Sequence, residues 1–254
     1  MMNPILLLIL LAFPLGLFSQ DELYQSTRDD LNYGEFRPNN LAPRYGIAEK
    51  PGKLLGDIHP DTIFRKSSVL FFKDVVRRYD PNASDSIAGY KLRINLLEKL
   101  VEFQLGGLIK GIDFKAIKKI RIYDAGDKVM KTYIHSSAGG PKNYVTDGLF
   151  EVVFEGKHLQ VVSLPILKKK EPSYHVALSV GDKNAYYYLK TVYFSKFEDG
   201  EWQETKLNKK SWLDIAQGRA KQMEAYLKEA RIQLNNEAAL KMFCEQFEKI
   251  HQNY

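Results

Sequence analysis

Between Lys53 and Leu207 short runs of β-branched and aromatic residues are separated by turn formers, a rhythm that predicts strands. Ser67–Phe72, Ser86–Leu96, Lys99–Leu105, Ala116–Asp124 and Lys128–His135 are successive candidates, and GLFEVVFEGKHLQVVSLPIL, AYYYLKTVYFSKF and EWQETKL continue the series. In IKKIRIY, Ile120 and Ile122 fall on one face and Arg121 and Tyr123 on the other, the alternation of a half-buried strand. Glu155-Gly156-Lys157 and the Asp-Gly at Asp199-Gly200 sit where two-stranded hairpins would turn. Links this short leave no room for crossover helices, so the sheet is expected to be antiparallel, with a barrel-like closure as one outcome.

At Asn208 the period changes. Ser211 to Gln217, Arg219 to Ala230 and Asn236 to Gln252 read as three helices, with Gly218 between the first two and Asn235 as the cap of the third. Leu240, Phe243, Phe247 and Ile250 form one apolar stripe, and Met223, Leu227 and Ala230 another. The expected fold class is α+β: an antiparallel β-domain over residues 53–207 followed by a three-helix C-terminal cap over 208–254.

The first block reads differently. From Ile5 to Phe18 the chain is apolar, interrupted by Pro14 and Gly16. It is shorter than the roughly 20 apolar residues a spanning helix needs. Small Ser19 precedes polar Gln20 and Asp21, so residues 1–19 are expected to be a signal peptide cleaved after Ser19, with an uncleaved N-terminal anchor as the alternative. No cysteine follows the block, which excludes a lipoprotein anchor. Residues 20–52, rich in Asn, Pro, Gly and charge, read as an extended or partly disordered lead-in.

Export changes what composition implies. The lone Cys244 offers no internal disulfide, so packing alone must hold the exported chain, a situation suited to a bacterial periplasm or cell surface. On a helix such a cysteine is more often a small buried hydrophobe than an intermolecular bridge. Residues 21–52 carry six acids against Arg28, Arg37, Arg44 and Lys50; with +6 on the whole chain, the remainder is left with a charge of +8. A basic body suits anionic partners such as phospholipid headgroups, lipid-linked polysaccharide or acidic glycans, although a soluble surface with an excess of lysine is the plainer reading; an envelope protein or an anionic glycan is the partner expected, and export argues against nucleic acid. After signal cleavage the chain is not expected to be an integral membrane protein.

The run from GYKLRINLLEKLVEFQ through DGLFEVVFEGKHLQVVSLP to YYYLKTVYFSKFEDGEWQETKLNKKSWLDI and the final helices resembles a family of uncharacterised exported proteins of Gram-negative envelopes. The resemblance covers residues 68–254, with Trp212 and Ala216 standing where aliphatic residues are usual. It implies export and a β-rich body with a helical tail, and it carries over no catalytic residue.

The equipment for catalysis is sparse. Neither G-x-S-x-G nor S-x-x-K occurs, and Cys244 lies mid-helix, away from the helix start or cationic neighbour that makes a reactive thiolate. His59, His135, His158, His175 and His251 are scattered, with no pair at helical ligand spacing. In GDIHPDT, Asp57, His59 and Asp61 alternate, but Pro60 makes a polar turn the better reading. DPNASD resembles the start of a calcium loop yet has Asp85 and Lys91 where Gly and Glu belong. SAGGPKN is glycine-rich, but no helix follows it, so a mobile connection fits better than a phosphate cradle. No catalytic residue, metal ligand or cofactor is singled out, and acids are plentiful enough that a carboxylate pair for glycoside hydrolysis stays open, so the reading leans away from an enzyme without closing the question.

The sharpest candidate is the strand NAYYYLKTVYFSKF. Alternation puts Tyr186, Tyr188, Lys190, Val192, Phe194 and Lys196 on one face, a mixture able to stack on sugar rings or hold an anionic polymer. Tyr186, Tyr188, Lys190 and Lys196 are the candidate binding residues. Against this stands strand chemistry alone, since tyrosine favours strands and lysine protects edges. The favoured function is a non-catalytic binding or structural module of the envelope. A hydrolase of envelope polymers and a barrel-like carrier of a small apolar ligand are the alternatives.

Overall fold

A computed structural model describes residues 53–252 apart from 79–81, 83, 176–177 and 179. The expected signal peptide and lead-in lie outside these described residues. Eleven strands form a single sheet: β1 Leu54–Leu55, β2 Arg65–Phe71, β3 Ser86–Asn95, β4 Leu100–Leu105, β5 Leu108–Asp113, β6 Ile117–Tyr123, β7 Val129–His135, β8 Leu149–Glu155, β9 Leu159–Lys170, β10 Ala185–Phe197 and β11 Gln203–Thr205. The strand order is β1-β10-β9-β8-β7-β6-β2-β3-β4-β5, with β11 also paired to β10.

Two sequence expectations are corrected here. The sheet is mixed, because β1 runs parallel to β10 through Leu54–Ala185 and Leu55–Tyr186, while the other pairings are antiparallel. Nor does it close into a barrel. β5 pairs with β4 alone, and neither β1 nor β11 at the opposite margin pairs with it.

Four α-helices occur among the described residues, one more than expected: α1 Lys73–Arg77 between β2 and β3, then α2 Lys209–Ile215, α3 Ala220–Glu229 and α4 Glu237–Gln252. Asn208 caps α2 by accepting the Ser211 N–H at 2.9 Å. The α4 cap is Asn236, whose Oδ1 accepts the Ala239 N–H at 2.9 Å, and not its neighbour Asn235. The α4 stripe predicted from spacing packs inward, with Leu240, Phe243 and Phe247 fully buried and Ile250 against them.

Antiparallel partners directly opposite one another share a face, so the register sorts the sheet into two sides. On one side Leu159 and Val161 meet Trp212, Met223, Leu227, Phe243 and Phe247 of the helices. Cys244 is buried in this cluster, and burial together with the charges of Glu248 and Glu245 pushes its thiol pKa up. Such a thiol is a packing element, inaccessible for intermolecular pairing. Farther along the sheet, residues of β2, β3, β4, β6 and β7 gather around Phe114 in a second core. A smaller cluster of Phe150, Val162, Leu164 and Phe194 lies on the opposite face.

The length of β9 and β10 positions the candidate residues. The β8 ladder ends at Glu151–Ser163, whereas β9 and β10 stay paired from Phe197–Leu159 to Tyr186–Lys170 without a register shift. Pro165 lies just beyond the end of the β8 ladder, where its missing N–H takes no hydrogen bond from that strand. Leu164–Lys170 and Ala185–Val192 thus continue past β8 as a two-stranded ribbon.

Candidate binding face

The ribbon brings three of the four candidate residues together with lysines that sequence alternation did not connect to them. Tyr186 opposes Lys170, Tyr188 opposes Lys168, and Lys190 opposes Ile166. These pairs all lie on the face that carries Val192 and Phe194 farther along the same strand. Directly opposed side chains have Cβ atoms about 4.5–5.5 Å apart, so the two tyrosines of β10 stand across from the two lysines of β9 on one face. Tyr188 is 52% exposed, Lys168, Lys170 and Lys190 are exposed, and Tyr186 is half-buried beside β1. These three lysines enter no ion pair among the described residues, whereas Lys169, on the other face, meets Glu171 at 3.0 Å.

Lys196 is not part of this group. It is on the same face but ten residues from Tyr186, roughly 33 Å along an extended strand. There it lines a cleft of about 390 Å³ with Lys142, Asn143, Tyr144, Glu201 and Trp202. A second cleft of about 360 Å³, also bordered by Trp202, is lined by Lys118, Lys119, Ile134, Glu155, Gln160 and Val162, among others. Trp202 and Gly139 border both clefts. Trp202 is carried to Lys196 by the β10–β11 hairpin, where Ser195 pairs with Gln203, whereas Tyr144 arrives on the loop between β7 and β8, which no local pattern connects to Lys196.

That loop is SAGGPKN, and the structure pins it. Ser136–Ala138 forms a 3-10 turn, the Ser136 N–H donates to Gly148 O at 2.9 Å, and Trp202 Nε1–H donates to Gly139 O at 3.0 Å. Tyr144 packs its ring edge-on against Phe194 with centroids 4.6 Å apart. The two glycines permit this. Gly139 has φ +116°, and a Cβ on Gly140 would come within 3.1 Å of the Phe150 ring. The segment expected from sequence to be a mobile connection lies against the core through these contacts.

A third cleft, about 550 Å³, lies between the β10–β11 hairpin and α2. The Ser195 and Thr205 hydroxyls, bonded to each other at 2.7 Å, form part of its lining, and Glu201, Glu204 and Asp214 outnumber Lys206 around it. Its sign is wrong for an anion.

The remaining sequence candidates resolve into structure. Asp57 Oδ1 accepts from the His59 backbone N–H at 2.9 Å and lies 3.2 Å from His59 Nδ1, while Asp61 turns away to Arg65. Across His59 stands Glu102, held by Arg93 at 2.6 Å and Asn95 at 2.8 Å. Burial alone would raise the Glu102 pKa, but the Asn95 and Arg93 hydrogen bonds and the charges of Arg93 and His59 hold it below the ordinary carboxylate range. Asp61 is held low in the same way by Arg65. This is the opposite of a general acid. His158 and His251 come within 5.3 Å ring to ring, His135 is buried, and His175 lies in an isolated bridge with Val180. No group of three or more His, Cys, Asp or Glu among the described residues could hold a metal ion. In DPNASD, Asp80 lies outside the described residues and the Ser84 hydroxyl donates to Ser86 O.

No helix among the described residues is long and apolar enough to cross a membrane. No protein-family model, curated protein or solved structure matches the chain.

Proposed function

We propose that this chain is an exported, non-catalytic envelope component that holds an anionic glycan on the ribbon of β9 and β10. The apolar block at Ile5 to Phe18 supports export. One observation carries the binding reading: Tyr186, Tyr188 and Lys190 share a face with Lys168 and Lys170, and these lysines have no carboxylate partner among the described residues. Unneutralised ammonium groups on one strand would attract an acidic polymer by charge, while the phenol rings of the facing strand would stack on its sugar rings.

The test is retention of the full chain on immobilised polygalacturonate, compared with a variant carrying Lys168→Glu, Lys170→Glu and Lys190→Glu. The native protein is expected to bind at low salt and elute as ionic strength rises, because exposed charges are screened over about 10 Å at 0.1 M. The variant is expected to flow through. Native protein that is not retained, or a variant that binds equally well, would overturn the reading.

A further inference from the structure

We infer that the two clefts flanking Trp202 are consecutive subsites for an acidic oligosaccharide, with the indole as the wall between adjacent sugar rings. The inference rests on the glycan reading above and adds where single sugar units are read. Each cleft, about 390 and 360 Å³, falls within the size range of small-molecule sites. They share Trp202 and Gly139, so a chain leaving one enters the other beside the same ring. The indole is fixed in advance by its hydrogen bond to Gly139 O, and Tyr144 by its edge contact with Phe194, so little ordering is left for the ligand to impose.

Charge selects the ligand class. Lys118, Lys119, Lys142 and Lys196 stand around the paired clefts against Glu155 and Glu201, and none of these six is ion-paired among the described residues. Register places Glu155, Gln160 and Lys196 side by side across β8, β9 and β10. Carboxylate, amide and ammonium in one row match the alternating hydroxyls and acid groups of a uronic-acid chain, with the net positive sign needed for its carboxylates. The clefts are also on the same face as the ribbon, so one polymer running along β10 meets both.

Trp202 provides the readout, because the other tryptophan, Trp212, is fully buried among the helices. Tetragalacturonate titrated into the full chain should change the tryptophan emission saturably. The change should be lost in Trp202→Phe and need about tenfold more ligand in Lys142→Glu/Lys196→Glu, whose exposed or half-buried positions leave the core intact. Maltotetraose, which lacks charge, and polyphosphate, which lacks rings, should give weaker responses. An equal response to either, or unaltered affinity in the double lysine variant, would overturn the inference. A silent Trp202 in a protein still retained by polygalacturonate would sink the subsites and leave the ribbon reading standing; loss of retention as well would sink both.

Discussion

Glu248 reaches from α4 into the β8–β9 turn, where its Oε1 accepts the backbone N–H of Leu159 at 2.7 Å and that of His158 at 2.8 Å. A Cβ on Gly156, in the same turn, would fall 2.3 Å from that oxygen, so the turn is glycine because the carboxylate comes so close. Removing the acceptor strands two donors, each costing about 1–3 kcal/mol when buried. Glu248→Ala should lower unfolding stability in urea by about 2–4 kcal/mol, and Glu248→Gln by roughly 1 kcal/mol because the acceptor remains. Gly156→Ala should destabilise the native protein yet cost less in the Glu248→Ala background, a coupling of about 0.5–3 kcal/mol in the double-mutant cycle. Additive effects would show that the two residues do not meet.

Gly56 makes a comparable demand at the parallel pairing of β1 and β10. Its φ is +100°, and an added Cβ would stand 2.1 Å from Tyr187 O. Both strain and overlap act against any side chain there, so Gly56→Ala should cost at least 1–3 kcal/mol or release β1 from β10. Hydrogen exchange is the direct measure. The Ala185 amide, bonded to Lys53 O at 3.1 Å, should lose protection while the amides of β6 keep theirs.

Acid should weaken the fold in two stages. Burial, the largest influence, lowers the pKa of His135 despite the charges of Asp147 and Asp113, and its Nδ1 accepts the Ser137 N–H at 3.1 Å, a role only the unprotonated nitrogen fills. The unfolded chain therefore binds this proton more readily, and stability should decline as pH falls below about 6.5. Asp61 and Glu102 have lowered values, so their contribution is complete above about pH 4.3 and disappears as pH falls through the folded-state values. Urea midpoints measured across pH should show that His135→Gln flattens the upper stage alone and Glu102→Gln the lower stage alone. An upper slope that survives in His135→Gln would refute the assignment.

Much of the sheet was legible because its strands have one buried face. Ile120 and Ile122 point to the core and Arg121 to solvent, the alternation that announces β6. β5 gives no such signal. It is an edge strand whose Leu108 and Ile109 are exposed, and Gly106 and Gly107 precede it, so nothing in its pattern distinguishes it from a loop. β1 has two residues, too few for any period. Asn235 and Asn236 are chemically equal as caps, and only the backbone geometry at Ala239 selects the second.

The candidate face was half legible for a related reason. Period two is a local property, and it correctly grouped Tyr186, Tyr188 and Lys190 on one side of β10. It also assigned Lys196 to that side, but sharing a side is not being near, and the ten residues between Tyr186 and Lys196 put the lysine at the far end of the strand, beside β8 and not on the ribbon. The contact of Trp202 with Gly139 joins residues 63 positions apart, and no window along the chain encloses it.

The way β10 is bordered has a consequence for how the molecule survives in a crowded compartment. With β1 seated over Ala185 and Tyr186 and β11 over Tyr193 to Ser195, only a short bare stretch of main chain remains between two occupied ends. A strand from a neighbouring copy would have to fit that gap end to end, and Lys190 stands in the middle of it. The arrangement blocks templated fibril growth from this margin, so the protein can keep a long, tyrosine-rich strand in the open without recruiting copies of itself.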